Sequence, residues 1–80
     1  MNIKPLSTET TLTAATTVDS ATLVRLLNTS SATLVTLKDG STTVATFTIA
    51  ANEVVLVEKD AAHTLEGGAA IKAVKVGFSN

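Results

Sequence analysis

T-L-V-T-L-K-D-G-S-T-T-V-A-T-F-T-I, residues 33–49, is two threonine-rich runs folded about Lys38-Asp39-Gly40. Both runs alternate with the period of two that sends successive side chains to opposite faces of a strand. Asp-Gly between β-branched runs is a strong hairpin signal, because glycine takes a left-handed backbone without a Cβ clash. Loop length decides which side chains share a face. A two-residue Asp39-Gly40 loop puts Val35 opposite Val44 and sends Phe47 to the other face. A three-residue Lys38-Asp39-Gly40 loop, with Gly40 left-handed in a G1 bulge, gathers Val35, Leu37, Ala45, Phe47 and Ile49 on one face. The second arrangement buries the larger apolar set, and a one-residue slip reverses every side chain. We expect the three-residue loop.

The chain on either side of the hairpin continues the β pattern. Downstream, Ala50-Ala51-Asn52 makes a corner and residues 53–59, E-V-V-L-V-E-K, form the most apolar run. Its length, β-branching and charged ends read as a strand rather than a helix. Residues 60–68 break the alternation. Asp60 suits an N-cap, so one short helical turn is expected near 60–65, closed by Gly67-Gly68. Residues 71–79 alternate again as a closing strand. Upstream, residues 22–28, T-L-V-R-L-L-N, are apolar on both faces apart from Arg25 and read as an interior strand. Residues 9–18 alternate weakly, as an edge strand does, and Asp19-Ser20 is a turn signal. Residues 1–8 contain Pro5, lack periodicity and read as an extended N-terminal arm. A seventh strand arises if Pro5-Leu6-Ser7 pairs with something. The expected architecture is all-β: a small antiparallel β-sandwich or partly open barrel of six to seven strands, one domain over residues 9–80.

Composition limits what such a domain does. The 80 residues include no cysteine and one histidine, so neither disulfides nor a Cys/His zinc cage supports the fold. A domain of this size buries only about 60% of its unfolded surface, which favours oligomerisation or docking on a partner. The chain is 45% hydrophobic and 16% charged, with a mean hydropathy of +0.38, apolar for a solitary soluble monomer. Six basic and seven acidic residues are scattered singly, giving a net charge of −1 and no basic stripe for nucleic acid. The two aromatic residues are both phenylalanine, so no Trp or Tyr platform exists for bases or sugars. The N-terminal residues lack the apolar run of a secretory signal, and no stretch approaches the roughly 20 apolar residues of a membrane helix. Fifteen threonines, mostly at alternate strand positions, keep β-branching while offering a hydroxyl, so one sheet face can be wet and still stiff.

No constellation of catalytic residues emerges. His63 with Asp60 and a serine has the composition of a hydrolytic triad, but no G-x-S-x-G elbow surrounds any serine. Glu53, Glu58, Asp60 and Glu66 lack the spacing of a calcium loop, and Gly67-Gly68 lacks the context of a phosphate loop. We therefore assign no catalytic, metal or cofactor residue and expect no small-molecule substrate. Two features stand above background. Arg25 lies mid-strand, either as an outward-facing residue on a half-wet sheet or, because its planar fork takes a carboxylate bidentately, in an ion pair with Glu58, Glu53 or a neighbouring chain. Glu58-Lys59-Asp60 followed by His63-Thr64-Leu65 reads either as charges blunting a strand end or as a docking loop. Pro5, Leu6, Arg25, Glu58, Lys59 and His63 are the expected partner contacts.

The ordered series T-L-V-R-L-L-N at 22–28, the D-G hairpin, V-V-L-V-E-K at 54–59, H-T-L-E at 63–66 and the closing A-V-K-V-G-F-S-N resembles small β-sandwich virion proteins of marine tailed phages, including cyanophages. In that pattern a V-R-x-x-N strand, an E-K strand end, a D-T-L-like step and a V-x-F-T-like strand recur over about residues 10–80. This chain has His63 where the pattern favours aspartate. The resemblance implies a non-enzymatic, homo-oligomeric structural component of a particle, located in the virion. Its implied partner is the major capsid protein, which it would decorate or cement, or another virion protein at the neck, tail or baseplate. A host-attachment or carbohydrate-binding module and a small regulatory protein are the competing classes.

Overall fold

A computed structural model of the chain describes residues 2–79; Met1 of the expected arm and Asn80 of the expected domain lie outside them. The strands are β1 (Asn2–Pro5), β2 (Thr10–Leu12), β3 (Leu23–Asn28), β4 (Thr33–Asp39), β5 (Thr42–Ile49), β6 (Val54–Glu58), β7 (Thr64–Glu66) and β8 (Gly68–Ser79). All pairings are antiparallel, in a five-stranded sheet ordered β1-β8-β3-β6 with β2 also on β8, and a three-stranded sheet ordered β5-β4-β7. The fold is therefore all-β with two layers, consistent with a small sandwich, and its eight strands exceed the six to seven expected. β1 supplies the seventh and β7 the eighth.

β7 replaces the helical turn expected near 60–65. His63 N–H donates to the Asp60 carbonyl at 3.0 Å and Ala62 N–H to Asp60 Oδ1 at 3.1 Å, so Asp60 caps a tight turn instead of a helix. The chain is already extended at Thr64, because pairing with β4 sets Leu65 against Leu37 and buries it completely. Burial of one leucine outweighs the weak local preference for a helical turn.

The hairpin has the expected faces and a different loop. Val35 stands opposite Phe47, Leu37 opposite Ala45 and Thr33 opposite Ile49. Val35 and Ile49 are buried, Leu37 and Phe47 pack partly against the core, and Ala45 is exposed beyond it. Gly40 is left-handed at φ 62°, as expected, but Asp39 pairs with Thr42, so the loop is Gly40-Ser41. The extra residue that restores the faces is Val44, left unpaired between the Leu37–Ala45 and Lys38–Thr43 pairs.

The core lies between the sheets. Val24 and Leu26 of β3 and Ile71 and Ala73 of β8 meet Val35, Ile49 and Leu65, with Leu12, Val18 and Ala21 closing the sides. Gly67 turns the chain from one sheet to the other at this core. A Cβ there would stand 3.1 Å from Val35 Cγ2 and 3.3 Å from Ile71 Cγ1, so a larger residue would have to displace them.

Residues 9–18, expected as one strand, form only the short β2. Two bends follow, then a single bridge from Thr16 to Leu65. Val18, Asp19 and Ser20 then adopt φ values of 53°, 59° and 56°, a left-handed turn without glycine. Left-handed backbone costs an L-residue roughly 1–2 kcal/mol. Thr16 Oγ1 accepts from Val18 N–H and Thr17 Oγ1 from Ser20 N–H, each at 3.1 Å, and the turn drives Val18 and Ala21 into the core. Ser20 is exposed, so Ser20→Gly relieves strain without removing a buried contact. We expect it to raise stability by about 0.5–1 kcal/mol in urea titration; an unchanged or lowered midpoint would refute the strain.

Candidate functional site

The two sheets present opposite chemistry to solvent. Directly paired residues share a face, so the register assigns each outer surface. On the three-stranded sheet the outward residues of β4 are Leu34, Thr36 and Lys38. They are flanked by Thr46 and Thr48 of β5 and by Thr64 and Glu66 of β7. Lys38 Nζ meets Glu66 Oε1 at 3.0 Å on this face. Threonines dominate this face, with Leu34, 55% exposed, as its apolar residue.

The outer face of the five-stranded sheet is apolar. Its rows, running from β1 or β2 through β8 and β3 to β6, are Ile3–Phe78, then Pro5–Val76–Leu23–Glu58. Next come Val74–Arg25–Leu56 and Thr11–Lys72–Leu27–Val54. Phe78, Val54 and Leu56 are 54%, 49% and 45% exposed. Val74 and Val76 form the floor, buried by their neighbours but outside the core cluster. Two clefts of about 620 and 450 Å³ indent this side. The larger is lined by Leu23, Glu58 and Phe78, the smaller by Ile3, Pro5, Ser7, Arg25 and Val74. Ser7 Oγ, on the smaller cleft, is buried with no hydrogen-bond partner, a condition that costs about 1–3 kcal/mol unless a further group supplies one.

The expected partner contacts separate into three groups. Pro5, Arg25 and Glu58 lie on the apolar face. Arg25 lies 3.9 Å from Glu9, not from Glu58 or Glu53, because Leu56 occupies the position opposite it on β6. Leu6 and His63 lie elsewhere. Leu6 N–H donates to the Lys75 carbonyl at 2.8 Å, and its side chain fills the space over Gly77. The arm is thus extended, as expected, but continues β1 along this chain's own β8. His63 Nε2 is 3.8 Å from Asp39 Oδ2, tying the β6–β7 turn to the hairpin tip.

Lys59 stands apart, and as a partner contact it is corrected. Its side chain points inward, and Nζ donates to the carbonyls of Ala21, His63 and Asp60 at 2.7, 2.9 and 3.2 Å. Those bonds occupy the three donors of the ammonium, leaving none for another chain. Desolvation pushes its pKa below the usual lysine value, against the opposing pull of Asp60. Asn28, the last residue of the expected interior strand, is likewise buried. Its Nδ2 donates to the carbonyls of Ser31 and Ile49 at 2.8 and 2.9 Å, and its Oδ1 accepts from Ser30 N–H at 3.0 Å. Its place at the apolar end of T-L-V-R-L-L-N, where an inward position was due, was the available signal.

Comparison with protein-family models, with curated proteins and with solved structures finds no match. Among the described residues no helix is long and apolar enough to cross a membrane, and no group of three acidic or histidine side chains is placed to hold a metal ion.

Lys59→Met keeps the buried stem and deletes the donors, stranding carbonyls of two loops. We expect a loss of about 2–4 kcal/mol, seen by circular dichroism as a melting temperature lower by roughly 10–20 °C. A melt within two degrees of the parent would show that the ammonium is dispensable.

Proposed function

We propose that this chain is a non-enzymatic structural component of a phage particle, a decoration or cement protein. It lays the outer face of its five-stranded sheet on the capsid shell and turns its threonine face to water. The observation that carries this reading is the difference between the two outer faces: one mostly threonine around a single exposed leucine, Leu34, the other presenting Phe78, Val54 and Leu56 about a floor of Val74 and Val76, with Arg25, Lys72 and Glu58 among them. An exposed apolar patch rimmed by polar groups marks an interaction site. The order of sequence motifs supplies the phage assignment. Each contact with a shell can be modest, because many copies act on pre-positioned sites.

Lysines on the two faces make the reading testable. Lys72 lies on the apolar face and Lys38 on the threonine face. In purified particles from the producing host, mass spectrometry should find this chain, and amine cross-linking should join Lys72 to the major shell protein while Lys38 stays free. Absence from the particles, or cross-links through Lys38 alone, would retire the proposal.

A further inference from the structure

We propose that two copies of this chain pair through β6, antiparallel and about a two-fold axis at Leu56, so that their five-stranded sheets become one. β6 is the end strand of its sheet, and among the described residues nothing pairs its outer edge. Lys59 N–H donates to the Thr22 carbonyl at 2.9 Å and Asn28 N–H to the Glu53 carbonyl at 3.2 Å. The antiparallel alternation between these bonds turns the main-chain groups of Val55 and Val57 toward β3. Those of Val54, Leu56 and Glu58 therefore point outward.

The edge matches a copy of itself. Pairing about Leu56 sets Leu56 against Leu56 and Val54 against Glu58, so that outward groups meet outward groups. Val55 then faces Val57 on the core side, and faces are preserved across the seam. No like charges are opposed, since the only ionisable residue of β6, Glu58, meets a valine. The other edges carry devices that resist such pairing. β1 is four residues long with Lys4 and Pro5, β2 is three residues long, β5 is bent by the bulge at Val44, and β7 is capped by the Thr16 bridge. β6, V-V-L-V-E, has no lysine, proline or bulge. One unguarded, self-matching edge gives a closed pair rather than a fibre.

Area argues for a second copy as the occupant. The sheet is four strands across. At about 4.8 Å per strand and 3.3 Å per residue, the face matched by β3, β6 and β8 covers roughly 300–400 Å². A stable interface takes about 800 Å² from each partner. Joined at β6, two faces form one surface of roughly 600–800 Å², close to that size, with Leu56, Val54 and Glu58 of both copies along its centre line. The pairing builds on the shell-binding reading of this face, yet solution mass reports it without any particle, so either fails without the other.

Leu56→Pro removes an outward N–H and leaves the β3 ladder whole, which proline tolerates only on an edge. By sedimentation equilibrium the parent should show twice the 8.2 kDa chain mass, and Leu56→Pro the single mass with its β circular dichroism retained. Should Leu56→Pro unfold, Leu56→Lys sets two ammonium groups across the axis and should also give the single mass. The chain has no cysteine, so Leu56→Cys should join into a covalent pair with a short bismaleimide, while Thr46→Cys on the threonine face does not. A parent that keeps the single mass at several hundred micromolar overturns the proposal. So does a folded Leu56→Pro variant that keeps the double mass, or equal cross-linking at both cysteines.

Discussion

The ladder between β3 and β8 is the constraint on which the rest of the structure depends. β8 runs for twelve residues. One edge pairs with β3, and the other takes β2 along its first half and β1 along its last. It follows the other seven strands in order, so the large sheet closes only after all of them are present, and loop closure must precede these contacts. Its alternation settles two surfaces at once. Ile71 and Ala73 face the core, while Val74 and Val76 face the other way. β3 repeats the pattern, with Val24 and Leu26 inward and Leu23 and Leu27 outward. Strands apolar on both faces belong in the middle of layered structures. Here the three-stranded sheet covers only one of those faces, and the apolar outer surface is what remains.

That surface was legible in residues 22–28, where leucines and valines occupy both faces around Arg25, and the sequence places this strand in an interior. It is interior to the sheet but covered on one side only; a lone sequence cannot separate a strand buried by its own domain from one awaiting a partner. The hairpin faces were legible for the same reason of alternation. Its loop was not, because an unpaired Val44 corrects the parity that the turn was expected to correct, and a bulge in the strand and a bulge at the turn leave the same side chains facing inward. Asp19-Ser20 signalled the turn but not its left-handed backbone, since Val18-Asp19-Ser20 lacks the glycines that usually mark such geometry. Short strands were the remaining loss. β1 and β7 are too brief for periodicity to register and exist because β8 and β4 offer them an edge.

A domain this small without a disulfide must hold its segments together otherwise, and two buried polar side chains do so at opposite ends of β3. Asn28 ties the end of β5 to the loop leaving β3, joining the two sheets. Lys59 ties the loop before β3 to the β6–β7 turn. Each links backbone segments far apart in sequence, and each has its hydrogen-bonding groups engaged, the condition under which a buried polar group specifies a structure instead of loosening it. The sequence disguised both: Asn28 as the polar end of a strand, and Lys59 as part of a charged strand end or docking loop.

The asymmetry of the outer faces also bears on why a chain with so few charges would stay specific in its contacts. Two apolar outer faces would let copies stack without limit, and two wet ones would give the thin core no further burial. One of each restricts burial to a single direction. The placement of the charges reinforces this. Arg25 and Lys72 share this face with Glu58, so the patch carries both signs, and a surface of either net charge would be neither strongly drawn nor repelled. Fit then rests on shape and apolar area, terms that grow with the contiguous surface and weaken sharply when it is divided. A single sheet face is small for that purpose, and in an antiparallel sheet the direct way to enlarge it without a new fold is another strand at an open edge. β6 is where this chain leaves that edge open, on the same layer as the face that needs enlarging.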